Sequence, residues 1–183
     1  MDPLVKMALA HYQFEAIHPF LDGNGRTGRI INILYLVLRG LLDLPVVYLS
    51  KAIIDRKTDY YRLLRDVTEN EAWEAWVLYM LAVVEETAVV TRQRILAIRD
   101  LMAATSDRAK AALPSRVYSK ELIELLFYQP YTKIQFLVDA GLAKRQTAAS
   151  YLKELERIGV LRSQKVGREN LYLNQALNDL LAH

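Results

Sequence analysis

The sequence predicts a mainly α-helical protein in two parts, a helical core followed by a small α+β domain. Apolar residues recur at helical spacing through the first hundred positions, and no segment there alternates between apolar and polar residues as a strand does. Later in the chain, three shorter helical segments precede two short apolar runs that flank the turn-like letters GREN. The 183 residues, 52% of them hydrophobic, are enough to build two small cores.

The first helix has a clear start and a clear end. Asp2 and Pro3 predict the start, because aspartate caps helices well and proline is favoured in the first helical turn. Pro19 disfavours helical backbone at the residue before it. We therefore expect this helix to end at or just before His18.

Three further helices complete the predicted core. The second begins at Asn24 or Gly25 and runs to Arg39, where a glycine stops it. Its interior, IINILYLVL, is apolar on nearly every side, which predicts a helix buried at the centre of a helical domain. The others are expected over residues 56–67 and from Glu71 to about Met102.

A second domain is expected after a boundary region. The segment AATSDRAKAALPSR, residues 103–116, loses the apolar periodicity and contains a proline. We expect a helical core over 1–105, a linker over 106–116 and a separate domain over 117–183. In that domain, three helices followed by a hairpin predict a winged helix-turn-helix, with 147–158 as its recognition helix. The expected helices cover 120–128, 132–140 and 144–158, and the expected strands 160–166 and 171–173.

Composition and charge narrow the functional classes. The chain has no cysteine, which excludes disulfides and thiolate metal sites. No apolar run reaches the eighteen or so residues that a membrane span needs, and no secretory signal is recognisable, so we expect a cytoplasmic protein without a membrane partner. The net charge of +3 comes from residues 115–183, which hold 10 Lys and Arg against 7 Asp and Glu. This basic bias hints at DNA as a partner of the second domain.

The letters IHPFLDGNGRTGR, from Ile17 to Arg29, predict a site that binds phosphate. They hold three of the chain's seven glycines, and glycine is used where backbone bends sharply or approaches a ligand closely. Asn24 and Gly25 open a helix, so unpaired N–H groups and the positive end of the helix dipole meet there. Gly23 and Gly25 let the backbone fold around an anion. Arg26 and Arg29, three residues apart at the same helix end, add cations for further phosphate oxygens.

Asp22 and His18 suggest the chemistry that accompanies the phosphate. A carboxylate such as that of Asp22 repels a polyphosphate unless Mg²⁺ lies between them, and one carboxylate with phosphate oxygens is a usual way to hold Mg²⁺. His18 is the one histidine of this cluster, and histidine is the side chain that most often serves as a general base near neutral pH. Together these residues suggest that a phosphorus group is transferred to a nucleophile. The pattern is not a P-loop, because the Gly-Lys-Ser/Thr ending is absent.

The stretch HPFLDGNGRTGR resembles the Fic family signature, HPFx(D/E)GN(G/K)RxxR, at every specified position from His18 to Arg29. The resemblance implies a protein adenylyltransferase, an enzyme that moves AMP from ATP to a hydroxyl of a target protein with Mg²⁺ as cofactor. It assigns His18 as the general base and Asp22 as the Mg²⁺ ligand. It implies an anion hole at Gly23, Asn24 and Gly25, and contacts to the β- and γ-phosphates at Arg26 and Arg29.

The resemblance continues beyond the signature. Tyr60 and Tyr61 look like the pair of tyrosines that lines the adenine and ribose pocket in such enzymes. Two alternatives stay open: transfer of a different nucleotide or phosphate-bearing group, and a winged-helix regulator that binds DNA and keeps the pocket as a nucleotide sensor. His18 favours catalysis, since a sensor needs no base.

Two elements of Fic proteins are not recognisable in this sequence. The family usually has several helices and a β-hairpin flap before the signature, and here seventeen residues precede His18. An inhibitory (S/T)xxxE(G/N) motif, whose Glu engages the arginine matching Arg29, is also not found. We therefore expect a fragment or a shortened relative that lacks the N-terminal part, binds ATP with Mg²⁺ weakly and transfers AMP poorly. A long exposed helix leaves room for a homodimer.

Overall fold

The computed structural model describes residues 1–167 and 169–182, and the chain divides into two compact units, Met1–Gln93 and Arg94–His183. The predicted fold class, mainly helical with a small α+β part after the core, is confirmed. Within the described residues, none of the helices has the length and apolar character needed to cross a membrane. The elements in chain order are α1 (Pro3–Ile17), α2 (Asn24–Leu38), α3 (Leu49–Asp55), α4 (Lys57–Asn70), α5 (Trp73–Ala112), α6 (Lys120–Leu125), β1 (Tyr131–Thr132), α7 (Ile134–Asp139), α8 (Arg145–Arg157), β2 (Arg162–Val166), β3 (Glu169–Leu173) and α9 (Gln175–Ala182).

In unit 1, α1 begins where its sequence predicts. The Asp2 carboxylate accepts hydrogen bonds from the N–H groups of Leu4 and Val5, at 2.8 and 3.3 Å, and Pro3 occupies the first turn. The helix packs around Trp76 of α5, whose indole N–H donates to the Ala8 carbonyl at 2.9 Å. The core of this unit is built from the following buried side chains: Met7, Leu36, Leu49, Ile53, Leu63, Val67, Trp76, Met80 and Val83.

Helices α1 and α2 approach each other closely at Gly28. A Cβ atom at this position would lie 2.5 Å from the Oε1 atom of Glu15 and 2.9 Å from the Cε1 atom of His11. Both distances are shorter than real Cβ contacts, so only glycine lets the two backbones come this near. The part of α2 that faces α1 at this point is therefore formed by a residue without a side chain.

The prediction that α2 is buried on all sides is wrong. Ile30, Leu34 and Leu38 are 56%, 56% and 80% exposed, and Ile31 is exposed as well. We call these four residues the apolar face of α2. The buried positions of α2 are Asn24, Gly28, Asn32 and Leu36. Among the described residues, α1 and α3 are the principal helices in contact with α2, so its opposite side stays open.

Three helices differ from the sequence-based expectation, and one of them, α9, follows the last predicted strand. Helix α3, Leu49–Asp55, was not predicted, because a seven-residue segment gives too little periodicity to recognise. Helix α5 continues to Ala112 rather than ending near Met102, and the first residues of the expected 106–116 linker are helical. The sequence there is rich in Ala, Arg and Lys, which favour helix even without an apolar stripe. The division into compact units falls at residue 93, before that segment.

Unit 2 contains the predicted helices α6, α7 and α8 and the predicted hairpin β2–β3. The sequence did not predict the two-residue strand β1, which pairs with β3 and completes an antiparallel sheet in the order β1-β3-β2. Ser163 of β2 lies opposite the buried Tyr172 of β3. Arg168 of the expected GREN turn lies outside the described residues. The core of this unit is built from Leu122, Leu126, Leu137, Ala148, Leu152, Leu155 and Tyr172.

Candidate functional site

His18 lies where the chain leaves α1. Its backbone is left-handed, with φ 50° and ψ 56°, and its N–H donates to the Phe14 carbonyl at 3.1 Å, which ends the helix. A left-handed residue other than glycine costs on the order of 1 kcal/mol or more. The His18 side chain is exposed to solvent. The turn thus holds an accessible imidazole directly before the loop that leads to α2.

The amide of Asn24 holds that loop. Its Oδ1 atom accepts from the N–H of Phe20 at 2.9 Å, and its Nδ2 atom donates to the Phe20 carbonyl at 2.7 Å. Asn24 is 2% exposed, so this pair of hydrogen bonds forms away from water and fixes the path of the loop. The resemblance assigns Asn24 to the anion hole, but in this structure its side-chain amide is hydrogen-bonded to the backbone of Phe20.

The first turn of α2 presents free backbone donors. Gly23 precedes the helix with φ 86°, a left-handed conformation that suits glycine. Among the described residues, the N–H groups of Asn24, Gly25 and Arg26 have no hydrogen-bond partner, and no side chain caps the helix. Three parallel donors at the positive end of a helix dipole form an anion-binding geometry.

The two arginines of the stretch have different partners. Arg26 is 3.2 Å from the Oδ2 atom of Asp22, and both side chains are largely exposed, so this ion pair is weak. The Asp22 Oδ1 atom accepts from the N–H of Gly23 at 2.6 Å. The Nε atom of Arg29 donates to the Ser50 hydroxyl of α3 at 3.0 Å, and Arg29 has no carboxylate within ion-pair distance in the described part of the chain.

Asp22 is the one carboxylate of the loop that could contact a metal. Elsewhere in the described residues, no three His, Asp or Glu side chains come together as a metal site would require. A single exposed carboxylate does not hold Mg²⁺ by itself, but it fits Mg²⁺ that arrives with phosphate oxygens. The donor set is therefore compatible with a metal that is bound together with a nucleotide.

A buried polar cluster that the sequence did not reveal lies beneath α2. His11 is 1% exposed, its Nε2 atom is 2.9 Å from the Tyr60 hydroxyl, and its ring stacks on Trp76. Burial, and then the charge of Arg29, lower the pKa of His11 to about 4. Burial raises the pKa of Glu15, although Arg29 acts in the opposite direction. The i, i+4 spacing of His11 and Glu15 was the available signal, because it places both on one face of α1.

The structure does not bring Tyr60 and Tyr61 to one surface. Tyr60 is 3% exposed and belongs to the core of unit 1, where burial raises its pKa above the ordinary value. Tyr61 is 56% exposed, and the Lys57 ammonium lies 5.8 Å from its ring centre. Neighbouring residues on a helix point in different directions, which explains the contrast. Tyr61 is accessible to a ligand, whereas Tyr60 has little surface to offer one.

Two segments of the chain match models of known families. Residues 1–36, which contain the whole stretch from His18 to Arg29, match the model of the Fic/DOC family. Residues 101–177 match the model described as protein adenylyltransferase SoFic-like, C-terminal domain. Both models describe Fic proteins, so the chain is similar to the Fic family over these two segments, one in each compact unit.

Named Fic relatives align over part of the chain. Protein adenylyltransferase fic-1 of Caenorhabditis briggsae is 39% identical over 64 residues, which are 35% of this chain and 11% of that protein. Protein adenylyltransferase Fic of Drosophila ananassae is 38% identical over 71 residues, 39% of this chain and 13% of that protein. A crystal structure of a Fic family protein from Desulfovibrio desulfuricans G20 aligns with a TM-score of 0.44 and 25% identity, covering 94% of this chain and 50% of that one.

Proposed function

We propose that this chain carries the phosphate-binding and base-bearing part of a protein adenylyltransferase that uses ATP. The reaction transfers AMP to a Ser, Thr or Tyr hydroxyl of a target protein. The hydroxyl oxygen bonds to the α-phosphorus, the bond from that phosphorus to the β-phosphate bridging oxygen breaks, and pyrophosphate leaves. The observation that carries the proposal is the open first turn of α2, with Arg29 beside it and His18 at the end of the preceding helix.

In this proposal, backbone N–H groups and arginine side chains bind the phosphates of ATP. The free N–H groups of Asn24, Gly25 and Arg26 stabilise negative charge on phosphate oxygens as the reaction proceeds. Arg29 offers its terminal N–H groups, while Arg26 becomes available once a phosphate replaces its exposed contact with Asp22. The Asn24 amide acts by holding the loop in place rather than by touching the anion.

Asp22 is the residue that would hold Mg²⁺. When bound with a nucleotide, the ion neutralises charge on the phosphate oxygens and on the departing pyrophosphate. The Asp22 carboxylate is largely exposed and is held by two contacts within its own loop, so it can reach a ligand without rearrangement of the core. Tyr61, exposed on α4, is the tyrosine that we assign to the nucleoside end of the ligand.

His18 acts as the general base that removes the proton from the acceptor hydroxyl. Its exposed imidazole is accessible to a side chain of another protein, and histidine is the side chain that most often serves as a general base. His11 does not suit this role, because it is buried and bonded to Tyr60. The two histidines thus provide a matched pair for testing, one at the surface and one in the core.

His18→Ala and Arg29→Ala separate the two parts of the proposal. With ATP labelled at the α-phosphate and a mixture of cellular proteins, the native chain is expected to give labelled protein. His18→Ala should reduce transfer by about 100-fold or more, since general bases contribute at least that much, while calorimetry shows unchanged ATP·Mg²⁺ binding. Arg29→Ala should weaken binding itself. Parallel loss of binding in His18→Ala would show that His18 is not the base, and a native chain that binds no ATP would overturn the proposed function.

Nucleic-acid binding by unit 2 is a second candidate function. A groove of about 310 Å³ is lined by Lys133, Gln135, Arg145 and Asn170, so the starts of α7 and α8 and the hairpin meet there. Lys133 is paired with Glu169, whereas Arg145 has no ion-pair partner among the described residues. The cations of α8, its N-cap and the hairpin that have no described ion-pair partner are Lys144, Arg145, Lys153, Arg162 and Lys165.

Salt dependence tests this second function. If the groove contacts the DNA backbone, affinity should fall by orders of magnitude between low and moderate salt. Arg145→Glu should weaken retardation of a DNA duplex much more than Lys120→Glu, because Lys120 is already paired with Glu124 on α6. A chain that does not retard DNA even at low salt would leave unit 2 as a module for protein contacts.

A further inference from the structure

We infer that Ser50 is a positioning residue that orients Arg29 toward the terminal phosphates of a nucleoside triphosphate. The inference rests on the proposed function, because it gives Ser50 a task at the same site. Ser50 lies in the first turn of α3, a helix that the sequence did not predict, and no residue of the Fic signature points to it. Its hydroxyl accepts the hydrogen bond from the Arg29 Nε atom at 3.0 Å.

The hydrogen bond to Ser50 selects which edge of the guanidinium faces a ligand. Arginine has five N–H donors and can bind a phosphate in two parallel hydrogen bonds, either through Nε and one terminal nitrogen or through both terminal nitrogens. With Nε engaged by Ser50, the first of these modes is blocked. The edge formed by Nη1 and Nη2 is left for the phosphate.

Gly25 places that edge beside the open turn of α2. A Cβ atom at Gly25 would lie 3.1 Å from the Nη1 atom of Arg29, a tight contact, so the guanidinium lies directly against this turn of α2. The N–H groups of that same turn have no partner among the described residues. Ser50 and Gly25 together therefore fix the Arg29 charge next to the backbone donors, and the two form one anion-binding surface.

Arg26, the other arginine of this site, has no described neighbour that holds its guanidinium in the way that Ser50 holds Arg29. Its side chain is 73% exposed, and its partner is the Asp22 carboxylate, which itself is 91% exposed. Exposed pairs of this kind order their side chains little. Arg29 is partly buried, bonded through Nε and not neutralised by a described carboxylate. Of the two arginines, Arg29 is the one held ready before the ligand arrives.

The hydroxyl of Ser50 is not needed to build α3. The helix begins at Leu49 with Tyr48 as its N-cap, and no side chain caps it. Within the described residues, the hydrogen bond from Arg29 is the one hydrogen bond that the Ser50 side chain makes. Ser50→Ala should therefore leave the fold intact and release the guanidinium. Thr58→Ala is a matched control, since Thr58 is an exposed hydroxyl residue near the start of α4 without a described side-chain hydrogen bond.

The binding test compares ligands with and without terminal phosphates. In calorimetry, Ser50→Ala should weaken binding of ATP·Mg²⁺ and of inorganic tripolyphosphate by roughly tenfold, as expected for loss of one charge-assisted hydrogen bond, and should leave AMP binding unchanged. In the transfer assay it should raise KM for ATP with little change in kcat. Ser50→Thr, which keeps the hydroxyl, should restore both, and Thr58→Ala should match the native chain.

A second readout does not depend on the nucleotide. In ¹⁵N NMR of the full chain, the Arg29 Nε–H signal should exchange slowly with water in the native protein and in Ser50→Thr, and faster in Ser50→Ala. Equal exchange in all three, or ATP binding that Ser50→Ala leaves intact, would overturn the role of Ser50 alone. A native chain that binds neither ATP nor tripolyphosphate would overturn the proposed function and the role of Ser50 with it.

Discussion

Helix α2 of unit 1 and helix α8 of unit 2 are similar in length, at 15 and 13 residues, yet they use apolar residues in opposite ways. Helix α8 buries Ala148, Leu152 and Leu155 and exposes charged and polar side chains, as a helix on a closed core does. Helix α2 buries Asn24, Gly28 and Asn32 together with a single leucine, Leu36, and exposes its apolar face.

The difference shows two ways of holding a helix. In α8, the hydrophobic effect of buried leucines fixes the helix on the core of unit 2. In α2, one buried leucine, Leu36, joins the core of unit 1, and close approach at Gly28 and the polar cluster of His11 and Glu15 hold the helix on α1. The first turn of α2 is left open for a ligand. Each change below acts on one of the two units. The two tryptophans, Trp73 and Trp76, both lie in unit 1, so their fluorescence reports on that unit, whereas circular dichroism reports on both.

The largest effect is expected from Leu152→Ala in α8. Leu152 is fully buried, and removal of such a side chain costs about 2–5 kcal/mol in the free energy of unfolding. In a urea titration, the transition of unit 2 seen by circular dichroism should move to lower urea, while the fluorescence transition of unit 1 stays in place. Ser150→Ala, at an exposed position of the same helix, is the control. An equal shift of both transitions would show that the two units unfold together.

The second-largest effect is a pH dependence of the stability of unit 1 alone. The pKa of His11 is lowered to about 4 from an unfolded value of 6.5, so between these values the unfolded chain binds a proton that the folded chain does not. Unit 1 should lose up to about 3 kcal/mol of stability as pH falls from 6.5 to 4, with no further loss from this group below pH 4. Trp76 fluorescence, beside the His11 ring, is the measurement.

The charged and titratable groups that face His11 affect the stability of unit 1 over the same pH range. They are Glu15 on its own helix, Arg29 of α2 and Tyr60 of α4. The raised pKa of Glu15 has the opposite sign, because the folded unit favours the protonated acid and regains stability as pH falls through that raised pKa. Glu15→Gln should therefore steepen the loss of stability toward acid. If the free energy of unfolding of unit 1 falls equally between pH 6.5 and pH 4 in the native chain and in Glu15→Gln, or falls in neither, the polar cluster does not control the stability of unit 1.

Gly28→Ala tests the close approach of α1 and α2. The added methyl group would collide with Glu15 and His11, and such overpacking costs about 1–3 kcal/mol in the free energy of unfolding. The fluorescence transition of unit 1 should move to lower urea. Gly141→Ala is a control in unit 2, where the added Cβ atom meets no neighbour although φ is 70°, and it should leave fluorescence unchanged. A Gly28→Ala chain as stable as the native one would show that the helices can move apart at no cost.

The sequence predicted the elements that local chemistry determines. The cap at Asp2 and the end of α1 before Pro19 follow from single residues, and both are present. The helices and hairpin of unit 2 follow from apolar spacing that serves one closed core. The turn before α2 could be predicted as well, because the left-handed Gly23 and the start of α2 at Asn24 follow from the stretch of glycines. Its binding of phosphate stays a prediction.

The sequence could not predict features that depend on packing between helices. The apolar letters of α2 predict burial on every side, but α2 packs through Gly28 and Asn32, and periodicity carries no information about backbone approach. The partner of Arg29 is Ser50, 21 residues away on a helix too short to recognise. Adjacent letters show that Tyr60 and Tyr61 point in different directions, but which of the two is buried depends on the side of α4 that faces Trp76, and the letters do not show this.

The smallest effect on stability is expected from Leu34→Gln on the apolar face of α2. Leu34 is exposed, so the free energy of unfolding of unit 1 should change by about 0.5 kcal/mol or less. Leu36→Gln, two positions along the same helix and 1% exposed, should cost several times more because it buries an amide in the core. If Leu34→Gln destabilises unit 1 as much as Leu36→Gln, the face of α2 that carries Leu34 is covered in solution and the contrast with α8 fails.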